Sequence, residues 1–164
     1  MKTINIYGKS YNENPTKVRE ACRAIIVKDN NILISYEEKN NQLMLPGGGI
    51  ELEETHEQCL IREVEEETAY IVELKEKVIT INEYYDDTLW INHYYTCSIV
   101  GEGSIKLSQA EIQECIIAKW FNLDECLNIF ASFEHDPCCG TGGFQHGLYK
   151  REYIALKEYM MSRL

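Results

Sequence analysis

The sequence is short of several things, and each shortage excludes something. No apolar run approaches the roughly 20 residues that a membrane-spanning helix needs. The first eight residues, Met1 to Gly8, lack the apolar block of a secretory signal, so a cytoplasmic protein is expected. Internal repeats, low-complexity tracts and linkers are missing, which leaves a single domain over residues 1–164, with 1–20 as a polar N-terminal extension or edge segment. Basic residues are scarce: 16 against 27 acidic ones give a net charge of −11. That balance repels polyanions, so neither a nucleic-acid duplex nor an anionic membrane is an expected partner. Hydrophobic residues at 45% and charged residues at 26% exclude a disordered tail, a coiled-coil rod and a collagen-like fibre.

The acidic excess is unevenly placed. Residues 1–50 carry a net +2, residues 51–67 a net −7 and residues 68–164 a net −6. Seven cysteines are present, of which Cys22, Cys59, Cys97, Cys115 and Cys126 sit singly in apolar or helical segments. They read as reduced, buried thiols that act as small hydrophobes.

Hydrophobic patterning places short strands at 24–27 and 32–34 around Asp29-Asn30-Asn31, another near 43–45, and two long β-rich runs at 71–85 and 88–100 joined at Asp86-Asp87. A further strand is expected at 116–121, a short helix from Asn122, and an amphipathic helix near 148–162. Residues 55–68 read as a helix capped by Thr55, with Gln58 completing a capping box. Strands interleaved with helices give an α/β fold, a mixed sheet covered by helices.

On a helical wheel for 55–68, Leu60, Ile61 and Val64 share one arc, and Glu63, Glu66 and Glu67 fall together beside it. Like charges at such spacing destabilise a helix by about 0.2–0.5 kcal/mol per pair, and the C-terminal end of the dipole disfavours them further. A hard divalent cation such as Mg²⁺ would remove the conflict. On the helix alone, a metal site and a solvated acidic face are both open. The preceding Leu45-Pro46-Gly47-Gly48-Gly49-Ile50-Glu51 loop lets backbone approach a ligand and frees carbonyl oxygens, which favours the site.

Taken together, Gly48, five residues, Glu54, seven residues, then Arg62-Glu63-Val64-Glu65-Glu66-Glu67-Thr68-Ala69-Tyr70 resembles the signature of the Nudix (MutT-like) hydrolase family. Ala69 stands where the pattern has glycine and Tyr70 where it has an aliphatic residue. The resemblance implies an α/β/α sandwich and Mg²⁺- or Mn²⁺-dependent hydrolysis of a pyrophosphate bond in a nucleoside diphosphate linked to another group. It implies Glu63, Glu66, Glu67 and the Gly47 carbonyl as metal ligands, with Gly48, Glu54 and Arg62 supporting the site and Glu65 as solvated surface. A general base is expected from Glu111 or Glu114, of which Glu114 is preferred on its distance from Trp120, with Glu63 as a rival. A small nucleotide-like substrate and a homodimer are the implied partners. The alternative is a non-catalytic domain of the same type that senses a nucleotide.

Arg23, alone among apolar residues, points either toward an anion or out to the sheet edge. Trp90, Tyr94 and Tyr95 either stack a base or pack the sheet, and Trp90 and Tyr95 join Arg23 as substrate-binding candidates. His135, Cys138, Cys139 and His146 could hold zinc. Their spacing does not fit the usual pattern, and a glycine-rich loop at the substrate edge is the preferred reading.

Overall fold

The computed structural model describes residues 2–135 and 147–164. Among these described residues, nine strands form two sheets. In the first, β1 (Thr3–Tyr11), β7 (Tyr70–Asp86), β8 (Thr88–Glu102), β2 (Lys17–Ile25) and β6 (Gly47–Gly49) lie side by side in that order. It is mixed: β1 with β7 and β2 with β8 run parallel, while β7 with β8 and β2 with β6 run antiparallel. In the second, β4 (Asn31–Glu37) pairs antiparallel with β3 (Val27–Lys28), β5 (Gln42–Met44) and β9 (Ile116–Asn122).

Local chemistry sets the turns. Asp29 and Asn30 both have positive φ, 49° and 60°, which a tight hairpin turn requires and which these residues tolerate. Asp86, at φ 49°, turns the long β7–β8 hairpin. The Asp87 carboxylate then accepts from Asn12 Nδ2 at 2.9 Å and from the Thr16 amide at 3.1 Å, tying the β1–β2 connection to the hairpin tip.

The described residues form four α-helices, α1 (His56–Thr68), α2 (Gln109–Glu114), α3 (Leu123–Ala131) and α4 (Leu148–Met161). One core lies under α1, built from Cys22, Ala24, Ile26, Leu33, Cys59, Leu60, Val64 and neighbours. The other lies under α3 and α4, with Ile32, Ile34, Ile79, Ile81, Tyr94, Phe130 and Leu156. Helices on both faces of the sheets give the expected α/β layering. Among the described residues no helix is long and apolar enough to cross a membrane.

Several expectations change. The polar segment 1–20 contains the outer strand β1, in which only Ile6 is buried, and the start of β2. An edge strand needs little apolar patterning because only one of its sides is paired and covered. The apolar run at 24–27 spans the end of β2 and the start of β3, so the chain changes sheets at Ile26. Helix α2 has no buried residue and hence no periodicity to find; its signature is the capping box of Ser108 with Glu111. Cys115, which ends α2 at φ 56°, is exposed, whereas Cys22, Cys59, Cys97 and Cys126 are buried free thiols. Cys138, Cys139 and His146 lie outside the described residues.

Helix α1 has its capping box, Thr55 Oγ1 accepting from the Gln58 amide at 3.2 Å and Gln58 Oε1 from the Thr55 amide at 2.9 Å. Its far end closes on Ala69 in the left-handed region, φ 60° and ψ 12°. A side chain there is strained relative to glycine by about 1 kcal/mol. Ala69→Gly is therefore expected to raise the melting temperature by roughly 2–4 °C in thermal denaturation. An unchanged midpoint would mean the surroundings already relieve the strain.

Candidate active site

Helix α1 and strand β6 come together through glycine. At Gly47, φ is +135°, and a Cβ would run into the Cys22 carbonyl oxygen. At Gly48 a Cβ would occupy the space of the Glu63 carboxylate. The loop thus lies directly on the acidic face of the helix.

Arg62 fixes this packing. Its Nε and Nη2 meet the two Glu54 oxygens at 2.8 Å each, a bidentate pair, and Nη2 also donates to the Gly49 carbonyl at 3.1 Å. Nη1 reaches Glu63 at 2.7 Å and Glu66 at 3.4 Å. The Arg62 hydrogen bond holds the Glu54 carboxyl below the usual range.

Glu63, Glu67 and Glu111 each offer an oxygen within 4.8 Å of the others. Glu67 is 8% exposed, and the Ser35 hydroxyl and the Gly47 amide (3.2 Å) donate to its carboxylate. Burial pushes its pKa up to about 7 and raises that of Glu63 as well. Glu111 comes from α2, where its other role is to accept from the Ser108 amide at 2.6 Å. A trio of converging carboxylates, of which Glu67 is buried and Glu63 and Glu111 are half-buried, suits a hard divalent cation.

Of the remaining expected residues, Glu66 stays beside Arg62 outside that trio, and Glu114 is exposed at the end of α2. Arg23 neither leaves for solvent nor meets a carboxylate: Nη1 donates to the Gly47 carbonyl and, at 3.5 Å, to that of Leu45. The Gly47 oxygen therefore already has one cationic partner. Glu65 is half-buried rather than solvated, near the Ser104 amide (3.4 Å) and Lys106 (3.6 Å).

Next to Arg23 and Gly49 opens a cavity of about 800 Å³, bordered by Lys17, Arg19, Arg23, Met44, Trp90 and Arg151, with Glu83 and Asn92 also in its wall; none of the three carboxylates is in its lining. Alternation along β2 puts Lys17, Arg19, Ala21 and Arg23 on this face, opposite Trp90 and Asn92 of β8. The Arg19 guanidinium lies 5.4 Å from the centre of the Trp90 ring. Tyr94 shares the face but is packed, its hydroxyl donating to Glu152 at 3.1 Å. Tyr95 is one residue out of phase. It lies on the α1 side, 2.6 Å from His56 Nδ1, away from the cavity it was expected to line.

Sequence reasoning missed the polar group in the cavity wall. Arg151 Nη1 meets Glu83 Oε2 at 3.0 Å, its Nε meets Glu152 Oε1 at 3.2 Å, and Asn92 Nδ2 donates to Glu83 Oε2 at 3.0 Å. Glu83 Oε1 is buried with no partner among the described residues. A signal existed: Glu83 falls on the inward alternation of Ile79 and Ile81, and Glu152 on the apolar arc of Leu148, Ala155 and Leu156. Ser35 left no such signal, since only the folded register brings it to Glu67.

A curated ADP-ribose pyrophosphatase of Methanocaldococcus jannaschii is 37% identical over 84 residues, covering 42% of this chain and 49% of that protein, so the match spans about half the relative's length. A NUDIX hydrolase of Nitrosomonas europaea has a similar fold, with TM-score 0.64 and 18% identity over 89% of this chain and 90% of that one. The MutT protein of Methanosarcina mazei Go1 gives TM-score 0.63 and 16% identity over 93% and 98%. The NUDIX domain family model matches residues 18–138, and the chain belongs to the NUDIX family.

Proposed function

We propose that this protein is an enzyme that hydrolyses the pyrophosphate bond of a nucleoside diphosphate linked to another group, with Mg²⁺ or Mn²⁺ as cofactor. The observation that carries the reading is the trio of converging carboxylates Glu63, Glu67 and Glu111, together with a cavity edged with Lys17, Arg19 and the Arg23 that donates to the Gly47 carbonyl. The similarity to an ADP-ribose pyrophosphatase supports the same class of substrate. A divalent ion held by Glu63 and Glu67, with Glu66 and the Gly47 carbonyl in reach, would neutralise phosphate charge and acidify an attacking water.

The chain's own residues do the rest. Lys17, Arg19 and Arg23 draw the anionic part of the substrate to the sheet face. Trp90 offers an aromatic wall to a base, and Glu83 Oε1 accepts a hydrogen bond from an N–H or O–H of the nucleoside. Glu111 takes the proton of the water as its oxygen bonds to phosphorus, and the bridging P–O bond breaks to give two phosphorylated products. Ser35, Gly47 and Arg62 hold the carboxylates in place. A cytoplasmic setting fits buried thiols used as small hydrophobes.

The test is a panel of nucleoside diphosphate derivatives incubated with Mg²⁺ or Mn²⁺, with product identification. Two phosphorylated products, formed only with the metal, are expected. Ligand-induced thermal stabilisation without turnover would instead support a nucleotide sensor. A single species in size analysis would also settle whether the expected homodimer forms.

A further inference from the structure

On the α1 side of the first sheet three side chains of metal-ligand type converge that the hydrolytic reading does not use, one of them, Glu20, also at the rim of the cavity. They are Glu20 of β2, His93 of β8 and His56, the first residue of α1. Their ligand atoms lie within 4.8 Å of one another. Both imidazoles aim Nε2 at the same oxygen: His93 Nε2 is 2.5 Å and His56 Nε2 3.4 Å from Glu20 Oε1. The rings are stacked with centres 4.3 Å apart.

We propose that Glu20, His56 and His93 form a second metal site, for a divalent first-row transition ion with zinc as the expected occupant. Two imidazoles and one carboxylate are a donor set for zinc rather than for magnesium, which wants oxygen alone. Tetrahedral bonds of about 2.0–2.1 Å place ligand atoms roughly 3.3 Å apart. The His56–Glu20 separation of 3.4 Å already suits this, and the shorter His93–Glu20 contact opens with a small rotation of the exposed carboxylate.

The outer contacts fit as well. A zinc-bound imidazole usually donates its other N–H to an oxygen. Here the Tyr95 hydroxyl is 2.6 Å from His56 Nδ1, and the Thr80 hydroxyl is 3.1 Å from His93 Nδ1. One neighbour opposes the ion: Lys77 Nζ lies 3.0 Å from His93 Nδ1, so it must swing aside when that nitrogen carries a proton. Glu20 and His56 are 43% and 34% exposed in their side chains, which leaves the fourth position open to water and the ion free to exchange.

The consequence is mechanical. The ion would clamp the first residue of α1 to two strands, seven residues or about 10 Å along the helix from Glu63.

The test uses the full chain, freed of metal, in excess Mg²⁺ so that the oxygen-rich trio does not compete. Titration with Zn²⁺ by calorimetry, and with Co²⁺ by visible absorption, is expected to show one equivalent bound with a Kd of about 1 μM or tighter. Bound zinc is expected to raise the melting temperature by a few degrees. His56→Gln, on a half-exposed residue, should weaken binding at least tenfold and abolish the cobalt bands of four-coordinate geometry. Lys77→Met should tighten it, a change that a merely structural histidine cluster would not show. Binding should persist in Glu67→Gln. No zinc affinity in the wild-type protein, or equal affinity in His56→Gln, would overturn the site without touching the hydrolytic reading.

Discussion

Glu67→Gln is expected to lower kcat by about 10³-fold, with the fold retained. The group lost is the carboxylate that a bound cation would hold ionised at the centre of the acidic trio. Removing one preorganised electrostatic partner of a reaction commonly costs 10²- to 10³-fold, and a direct metal ligand sits at the upper end. Glutamine keeps the shape and still accepts from Ser35 and Gly47, so thermal stability should hold or rise, because a buried carboxylate has been neutralised. The companion measurements separate Glu111 from Glu114 as the base. Glu111→Gln should cost about 10²-fold, in the range of general base catalysis, whereas Glu114→Gln should stay within about twofold. Equal losses in both would move the base away from Glu111 and mean that α2 shifts when substrate binds.

The second large effect concerns stability. Arg151→Met leaves Glu83 and Glu152 buried without their shared cation. Breaking a buried ion pair on one side costs about 3–5 kcal/mol, far more than an exposed pair. For a chain of this size the melting temperature should fall by roughly 10–15 °C. Adding Glu83→Gln to that variant should restore part of the loss, since one of the two stranded charges is then gone. A change under about 1 kcal/mol in Arg151→Met would mean that solvent in the cavity already satisfies both carboxylates.

Much of this molecule could be read from the chain. The helix 56–68, its capping box and the glycine loop depend on residues within a short stretch, where spacing fixes who meets whom, and the supporting role of Arg62 and Glu54 came with the family resemblance. The two long strands also stood out by length and composition. What could not be read depends on register between distant segments. Ser35 reaches Glu67 across 32 residues, and Arg151 reaches Glu83 across 68. Tyr95 illustrates the limit from the other side: aromatic character marked it out, but a shift of one residue from Trp90's phase decides which face it serves. Glu111 was marked by its place before Trp120, yet its preference over Glu114 comes only from the fold, which brings its carboxylate to those of Glu63 and Glu67.

The core beneath α1 has one more consequence. It contains three thiols, Cys22, Cys59 and Cys97, where the opposite core has one, Cys126, among isoleucine, leucine, phenylalanine and tyrosine. Cys22 and Cys59 are completely covered by the helix and the strand below it, so no reagent reaches them while α1 is seated. The protein thus carries its own reporter. The rate at which a thiol-specific reagent labels Cys59 measures how often the catalytic helix lifts from the sheet, and ligands that seat the helix more firmly slow that clock.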